Sequence, residues 1–242
     1  MGRPKLLDRD KVVDVAMCNY WRHGIDNVGM AKIARLSGFD RAGIYKEFDG
    51  ESGLVNAVID KYANEHFLPR VRILEASESP TMAVKMIIDA FIFDNVLKDL
   101  STYGIEDVNL KWPEPTKKAK GCCFYGLMIS DSILDMGSKT QKKIKEMDEK
   151  SRQLMFGVFE KAETTDLLRK GVTAITAHEF YEDQMLLLQL MRNRNYDEPR
   201  MIAARNFMLN SMFKEHVLSE KQRYPSEAVS YTHLTLPTKR IV

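Results

Sequence analysis

The sequence predicts an all-α protein. Apolar residues recur at the three- and four-residue spacing of a helix along most of the 242-residue chain. Residues that cap helices stand at the ends of these segments. Examples are Ser79-Pro80, which precedes one segment, and Gly24, which follows another. We find no segment with the alternating pattern of a half-buried strand. With 44% apolar residues, the chain has enough material for one large domain or two small ones.

Composition excludes several classes of protein. No apolar run approaches the roughly 18 residues that a membrane span needs, and the N-terminus begins with charge and lacks an apolar signal segment. Three cysteines are too few for a disulfide scaffold, and the histidines are not at metal-ligand spacing. There is no Gly-rich phosphate loop. We therefore expect a cytoplasmic protein that binds no membrane, metal or cofactor.

Three helices are predicted near the N-terminus. Apolar residues between positions 12 and 21 share one helical face, and Gly24 ends that helix. Two short helices, Met30–Ser37 and Arg41–Phe48, follow on either side of Gly38-Phe39-Asp40, with Asp40 as the N-cap of the second. Two short helices joined by a tight glycine-containing turn are typical of a helix-turn-helix, although many unrelated helical proteins share this pattern.

The remaining helices follow from the same rules. Apolar positions between 54 and 67 predict one helix, Ser79-Pro80 begins another that runs to about residue 100, and residues 102–120 form a loop. Later helices are predicted at 121–135, after Ser138 as a cap, at 177–194 after Thr176 and at 200–218 after Pro199.

The last two predicted helices are apolar over more than one face. A surface helix needs a single apolar stripe, so the second face must be buried against something else. We expect a homodimer through a four-helix bundle formed by about 177–194 and 200–218 of two chains. The alternative is that both helices are central in their own domain.

The N-terminal residues resemble those of the TetR family of transcriptional regulators. Gly2-Arg3-Pro4, Gly24, Ile33-Ala34, Gly38 and 41–48 stand in that family's order and spacing, and the resemblance covers about residues 1–58. It implies a three-helix domain that binds operator DNA and a larger helical domain that dimerises and holds a small effector. The protein would then be a repressor that the effector releases from DNA.

The resemblance also implies roles for particular residues. The positions that it assigns to DNA binding are Arg3, Lys5, Arg41, Ala42, Gly43, Tyr45 and Lys46. Arg3 and Lys5 belong to an arm that reaches phosphate or the minor groove; the alternative for this arm is a disordered tail. Tyr45 could instead be mainly a core residue whose hydroxyl alone reaches phosphate.

Three residues depart from the family's pattern. Gly29 stands where a Ser or Thr commonly caps the first motif helix, and Asp40 stands where a Ser commonly caps the second. Glu51 stands where a Lys commonly meets phosphate. Residues 1–50 contain nine basic and seven acidic residues, so we expect weak non-specific affinity for DNA. This charge balance keeps an alternative open: a helical ligand-binding or enzymatic protein whose helix-turn-helix no longer binds DNA.

The effector site is predicted from side-chain type alone. Methionines adapt to irregular ligands, although they are equally ordinary core residues. Trp112 lies in the long loop, where it closes a pocket mouth or covers a core edge, and His178 belongs to a polar cluster that begins an apolar helix. The residues we assign to the effector are Met86, Trp112, Met128, Met155 and His178.

The predicted organisation is a DNA-binding domain over residues 1–50 and an effector-binding and dimerisation domain over 51–220, without enzymatic activity. Residues 229–242 resemble a translated sequencing adapter, so we exclude them from the fold; the alternative is a genuine short tail. Their Lys239 and Arg240 account for the net charge of +2, since the other 34 basic residues equal the 34 acidic ones. Any argument for nucleic acid therefore depends on local pattern.

Overall fold

The computed structural model describes residues 7–93, 99–107, 109–111 and 138–214. These ranges are mainly helical and contain no β-strand, which confirms the all-α prediction. A π-helical segment (Ala63–Phe67) follows α4, and a short 3-10 helix (Leu100–Tyr103) follows α6. The α-helices are α1 (Arg9–His23), α2 (Met30–Ser37), α3 (Arg41–Phe48), α4 (Glu51–Tyr62), α5 (Leu68–Glu75), α6 (Pro80–Ile92), α7 (Ser138–Thr164), α8 (Ala174–Asn193) and α9 (Glu198–Met212).

The N-terminal helices have the predicted bounds because local signals set them. Gly24 ends α1 with φ 80°, and Gly38 ends α2 with φ 79°, a left-handed conformation that glycine adopts without strain. The Asp40 side chain accepts a hydrogen bond from the Gly43 N–H and so caps α3. Gly29 precedes α2 without any side-chain cap.

Helix α6 begins as predicted but ends earlier. Ser79 caps it by accepting a hydrogen bond from the Met82 N–H. The chain turns extended at Phe93, although the apolar pattern predicts a helix to about residue 100. Leu100 and Tyr103 are buried, but in the separate 3-10 helix. Their burial explains why the apolar pattern continues after α6 has ended.

The last two helices also differ from the prediction. Thr173, and not Thr176, is the N-cap of α8, because the two threonines form a reciprocal capping box. Asp197 caps α9, in which Pro199 occupies the first turn. The helix ends at Met212 because Phe213 leaves it to pair with Leu168 in an isolated antiparallel bridge. Residues 215–218 of the predicted helix lie outside the described ranges.

The described residues build two apolar cores. The first contains residues of α1 to α4, and the second contains residues of α5, α6, α8 and α9. Helix α7 contributes to both: Ile144 and Met147 are buried in the first core, Met155 and Phe159 in the second. One long helix therefore connects the two cores. The first core extends into α4, and the domain bounds at residue 50 stay a prediction.

Several predictions fall outside the described residues. These are the helix at 121–135, most of the loop at 102–120 and the adapter-like segment 229–242. Ser138, expected as a cap, is itself the first described residue of α7. No helix in the described ranges is long and apolar enough to cross a membrane.

Candidate DNA-binding surface

Helices α2 and α3 form a helix-turn-helix. Ile33, Ile44 and Phe48 are buried in the first core and hold the two helices together. The carbonyl of Ala34 accepts the N–H groups of both Gly38 and Phe39, which makes the turn between the helices tight. This packing leaves the opposite side of α3 in solvent.

The exposed side of α3 carries most of the predicted DNA contacts. Arg41, Ala42 and Lys46 are exposed, while Gly43 and Tyr45 are half-buried. The Arg41 guanidinium lies 5.2 Å from the centre of the Tyr45 ring and donates a hydrogen bond to its hydroxyl at 3.3 Å. The Tyr45 ring packs against the first core and its hydroxyl accepts a hydrogen bond from an exposed arginine, while its contact with DNA stays a prediction.

The two acidic departures differ in their surroundings. The Asp40 carboxylate lies 2.7 Å from the Gly43 N–H, at the positive end of the α3 dipole. Glu51 is exposed in the first turn of α4. The hydrogen bond to Tyr45 is the largest cause of the raised pKa of Arg41, and the charge of Glu51 acts in the same direction. Glu51 therefore lies close enough to influence an expected DNA-contacting side chain.

Sequence reasoning missed Arg9 as part of this surface. Its guanidinium pairs with Glu47 of α3 at 3.0 Å and lies 4.4 Å from the centre of the Phe48 ring. Arg9 therefore neutralises the acidic residue on α3, whereas Lys46 has no carboxylate partner among the described residues. The signal was a basic residue in the first turn of α1, but the partner is 38 positions away.

A close contact fixes α3 against α4. Asp49 has φ 56° and Gly50 φ 93°, so the chain reverses sharply between the helices. A Cβ atom on Gly53 would lie 1.5 Å from the Phe48 carbonyl oxygen. Only glycine permits this approach, and the angle at which α3 is presented depends on it.

The predicted effector residues lie in the second core or lie outside the described ranges. Met86 of α6 and Met155 of α7 are buried. His178 of α8 contacts Phe159, and its Nε2 atom lies 3.7 Å from a Glu182 oxygen, too far for a hydrogen bond. Trp112 and Met128, like Arg3 and Lys5 of the arm, are not among the described residues.

The sequence also gave no role to a group of charged residues in the second core. Lys85 and Asp89 of α6, Arg205 of α9 and Tyr103 are all buried and meet at the Asp89 carboxylate. The feature of the sequence that could have revealed this group is Asp89, which interrupts an apolar stretch and follows Lys85 by one helical turn.

A curated relative matches part of the chain. The HTH-type transcriptional repressor ComR of Escherichia coli strain K12 is 39% identical over 61 residues. The match covers 25% of this chain and 29% of that protein. No protein-family model matches the chain.

Solved structures match the fold over most of the chain. A cysteine mutant of the TetR-family regulator CifR, complexed with 26-bp operator DNA, gives a TM-score of 0.60 at 16% identity over 87% of this chain and all of that one. A TetR-family regulator from Agrobacterium tumefaciens gives a TM-score of 0.63 at 17% identity, over 85% of this chain and 97% of that one.

A third structure is the regulator FadR of Bacillus subtilis in complex with stearoyl-CoA. It gives a TM-score of 0.54 at 12% identity, over 84% of this chain and 99% of that one. The chain has the TetR-type fold. In this TetR-type fold the first core carries the helix-turn-helix, and the second carries the buried charges of α6 and α9.

Proposed function

We propose that the protein is a DNA-binding transcriptional regulator, a repressor that a small effector releases from its operator. The observation that carries this proposal is the charge arrangement on α3. Arg41 and Lys46 are exposed cations on the solvent side of a helix-turn-helix, and the acid beside them, Glu47, is neutralised by Arg9. Such a helix suits the major groove, where basic side chains meet phosphate or guanine.

The comparisons support this proposal. CifR, which shares the fold, is complexed with operator DNA, and the partial relative ComR is a repressor. FadR, also of this fold, is complexed with stearoyl-CoA. We assign the DNA contacts to Arg41, Ala42, Gly43, Tyr45 and Lys46, with Arg3 and Lys5 in the preceding arm.

We propose that the regulator is a homodimer through α8 and α9. Their solvent side carries large apolar residues whose exposed fractions are 68% for Leu186, 46% for Leu187, 45% for Leu190 and 70% for Phe207. Exposed leucines at three- and four-residue spacing form a stripe that a second copy of the same helices covers. A two-fold dimer presents two α3 helices to one side of DNA, so the operator is expected to be palindromic.

Gel-shift and footprinting assays with DNA from beside the protein's own gene test the proposal. We expect a protected palindrome with half-sites about one helical turn or a small multiple apart. Arg41→Ala should weaken binding, while Lys170→Ala, a loss of an exposed cation far from α3, should not. If no DNA is protected, or if Arg41→Ala binds as well as the wild type, the ligand-binding or enzymatic alternative is favoured instead.

A further inference from the structure

A group of buried charges joins α6 to α9 inside the second core. Asp89 is fully buried, and Lys85 and Arg205 are each 4% exposed. The Asp89 carboxylate accepts hydrogen bonds from Lys85 Nζ at 2.6 Å, from the Tyr103 hydroxyl at 2.8 Å and from Arg205 Nη1 at 2.5 Å. Charged groups are seldom buried in a core without a specific role, because removing them from water costs free energy.

Lys85 alone is sufficient to balance the charge of Asp89. It lies one turn before Asp89 on the same helix, at salt-bridge distance, and Tyr103 adds a neutral donor to the same oxygen. The second cation, Arg205, is therefore not required to neutralise Asp89. Two flanking cations and three donated hydrogen bonds also make Asp89 a poor site for a further cation.

Arg205 retains unused donors. A guanidinium has five N–H groups. One binds Asp89, and the Nε–H binds the Asn206 side chain at 3.1 Å. Among the described residues we find no acceptor for the other three. The planar arrangement of these donors matches a carboxylate, and Nη2 of Arg205 is not among the fully buried polar atoms that lack a partner, so an acceptor from outside can approach it.

Apolar residues near the charged ones along α9 and α6 indicate the rest of the ligand. Met201 and Met208 flank Arg205 on α9, and Met86 adjoins Lys85 on α6; all three are buried members of the second core. Flexible thioether side chains adapt to an apolar body of irregular shape. The combination of one anion-binding group and an apolar surrounding fits an organic acid with a hydrocarbon body.

We propose that Arg205, held in place by Asp89, binds the carboxylate of an organic acid with an apolar body, and that Lys85 and Tyr103 position this group. Its role as the effector site rests on the proposed regulatory function, but the binding itself does not.

Calorimetry on the full chain at neutral pH tests the binding. The probes are octanoate and benzoate, each compared with its neutral amide. We expect each acid to bind the wild type about tenfold more tightly than its amide, because only the acid forms a charge-assisted pair with Arg205. Arg205→Met should remove this preference. Arg200→Met, which removes an exposed arginine of the same helix, should keep it.

Arg205→Lys controls for misfolding caused by the loss of the buried charge in Arg205→Met, because lysine keeps the charge but lacks the planar guanidinium. It should retain part of the preference for acids, with circular dichroism unchanged. If neither acid binds the wild type, or if Arg205→Met binds acids as the wild type does, the proposal is wrong and the charged group serves stability alone.

The same samples separate the two proposals in a gel shift. Acid binding that depends on Arg205, in a protein that protects no DNA, supports the site and contradicts the regulatory function. A protein that protects its operator but binds neither acid supports the function and contradicts the site.

Discussion

At the scale of single residues, the charge of Glu51 is expected to limit DNA affinity. It lies in the first turn of α4 and acts electrostatically on Arg41. Glu51→Lys should strengthen binding to operator and random DNA alike, by about 1 kcal/mol in a screened, exposed site. It should also steepen the salt dependence, because each neutralised phosphate releases counterion.

The measurement is affinity for both DNAs at several salt concentrations. Glu160→Lys makes the same charge change at an exposed position of α7 and should have a much smaller effect. Equal affinities and equal salt slopes for Glu51→Lys and the wild type would show that Glu51 does not face the DNA backbone.

A second residue-scale prediction concerns His66. The residue is 3% exposed, its ring stacks on Tyr62 and meets the Trp21 ring at 5.0 Å, and neither ring nitrogen has a hydrogen-bond partner among the described residues. Burial, with smaller contributions from the charges of Arg70 and Lys61, lowers the pKa of His66 to about 4. The folded protein therefore holds this imidazole neutral over a range in which the unfolded chain protonates it.

The sign of the pH dependence follows from that difference. Between pH 6.5 and 4 the unfolded state binds more protons, so stability falls as the pH falls. From pH 7.5 to 5 we expect His66 to account for a loss of about 2 kcal/mol in the free energy of unfolding. His66→Phe should lose less stability over this interval in urea denaturation. His23→Gln removes an exposed histidine whose pKa is also lowered, and it should change the slope less than His66→Phe does. Equal slopes for His66→Phe and the wild type would contradict a buried neutral imidazole.

At the scale of elements, the junction of α3 and α4 depends on Gly53. A Cβ there meets a backbone carbonyl, which moves only if α3 moves. Gly53→Ala should therefore destabilise the protein by about 1–3 kcal/mol, the usual cost of overpacking, and weaken DNA binding.

Gly157→Ala is the matched control for that variant. Gly157 lies inside α7, and no atom of the described residues lies near its added Cβ, so alanine should stabilise the helix by about 0.5–1 kcal/mol. Urea denaturation measures both variants. If Gly53→Ala is as stable as the wild type, the close approach of the two helices is not a real constraint.

At the scale of the whole molecule, the apolar side of α8 and α9 predicts the assembly. Leu187→Glu and Phe207→Glu should each give monomers in sedimentation experiments at micromolar concentration, because a charge would be buried in the interface. Met208 lies within the interface segment predicted at about 200–218, but it is 1% exposed and belongs to the second core, so its replacement by Glu tests stability instead.

Leu68→Glu is the control for the assembly prediction. Leu68 is also an exposed leucine, but it lies in α5, away from the apolar stripe. It should leave the oligomeric state unchanged. A wild-type chain that sediments as a monomer would contradict the dimer outright.

The sequence by itself determined the helix-turn-helix. The bounds of α2 and α3, the Asp40 cap and the Ser79 cap are correct because each depends on residues within one helical turn. The sequence also determined which side of α3 carries exposed cations, since helical periodicity fixes the opposite, buried side.

The tertiary structure alone decided the features that join distant residues. The end of α9 is set by pairing with Leu168, the neutralisation of Glu47 comes from Arg9, and Arg205 reaches Asp89 across 116 positions. Helix α7 enters both cores, although its apolar pattern is that of any amphipathic helix. Burial and ion pairing depend on which surfaces meet, and periodicity within one segment carries no information about its partner.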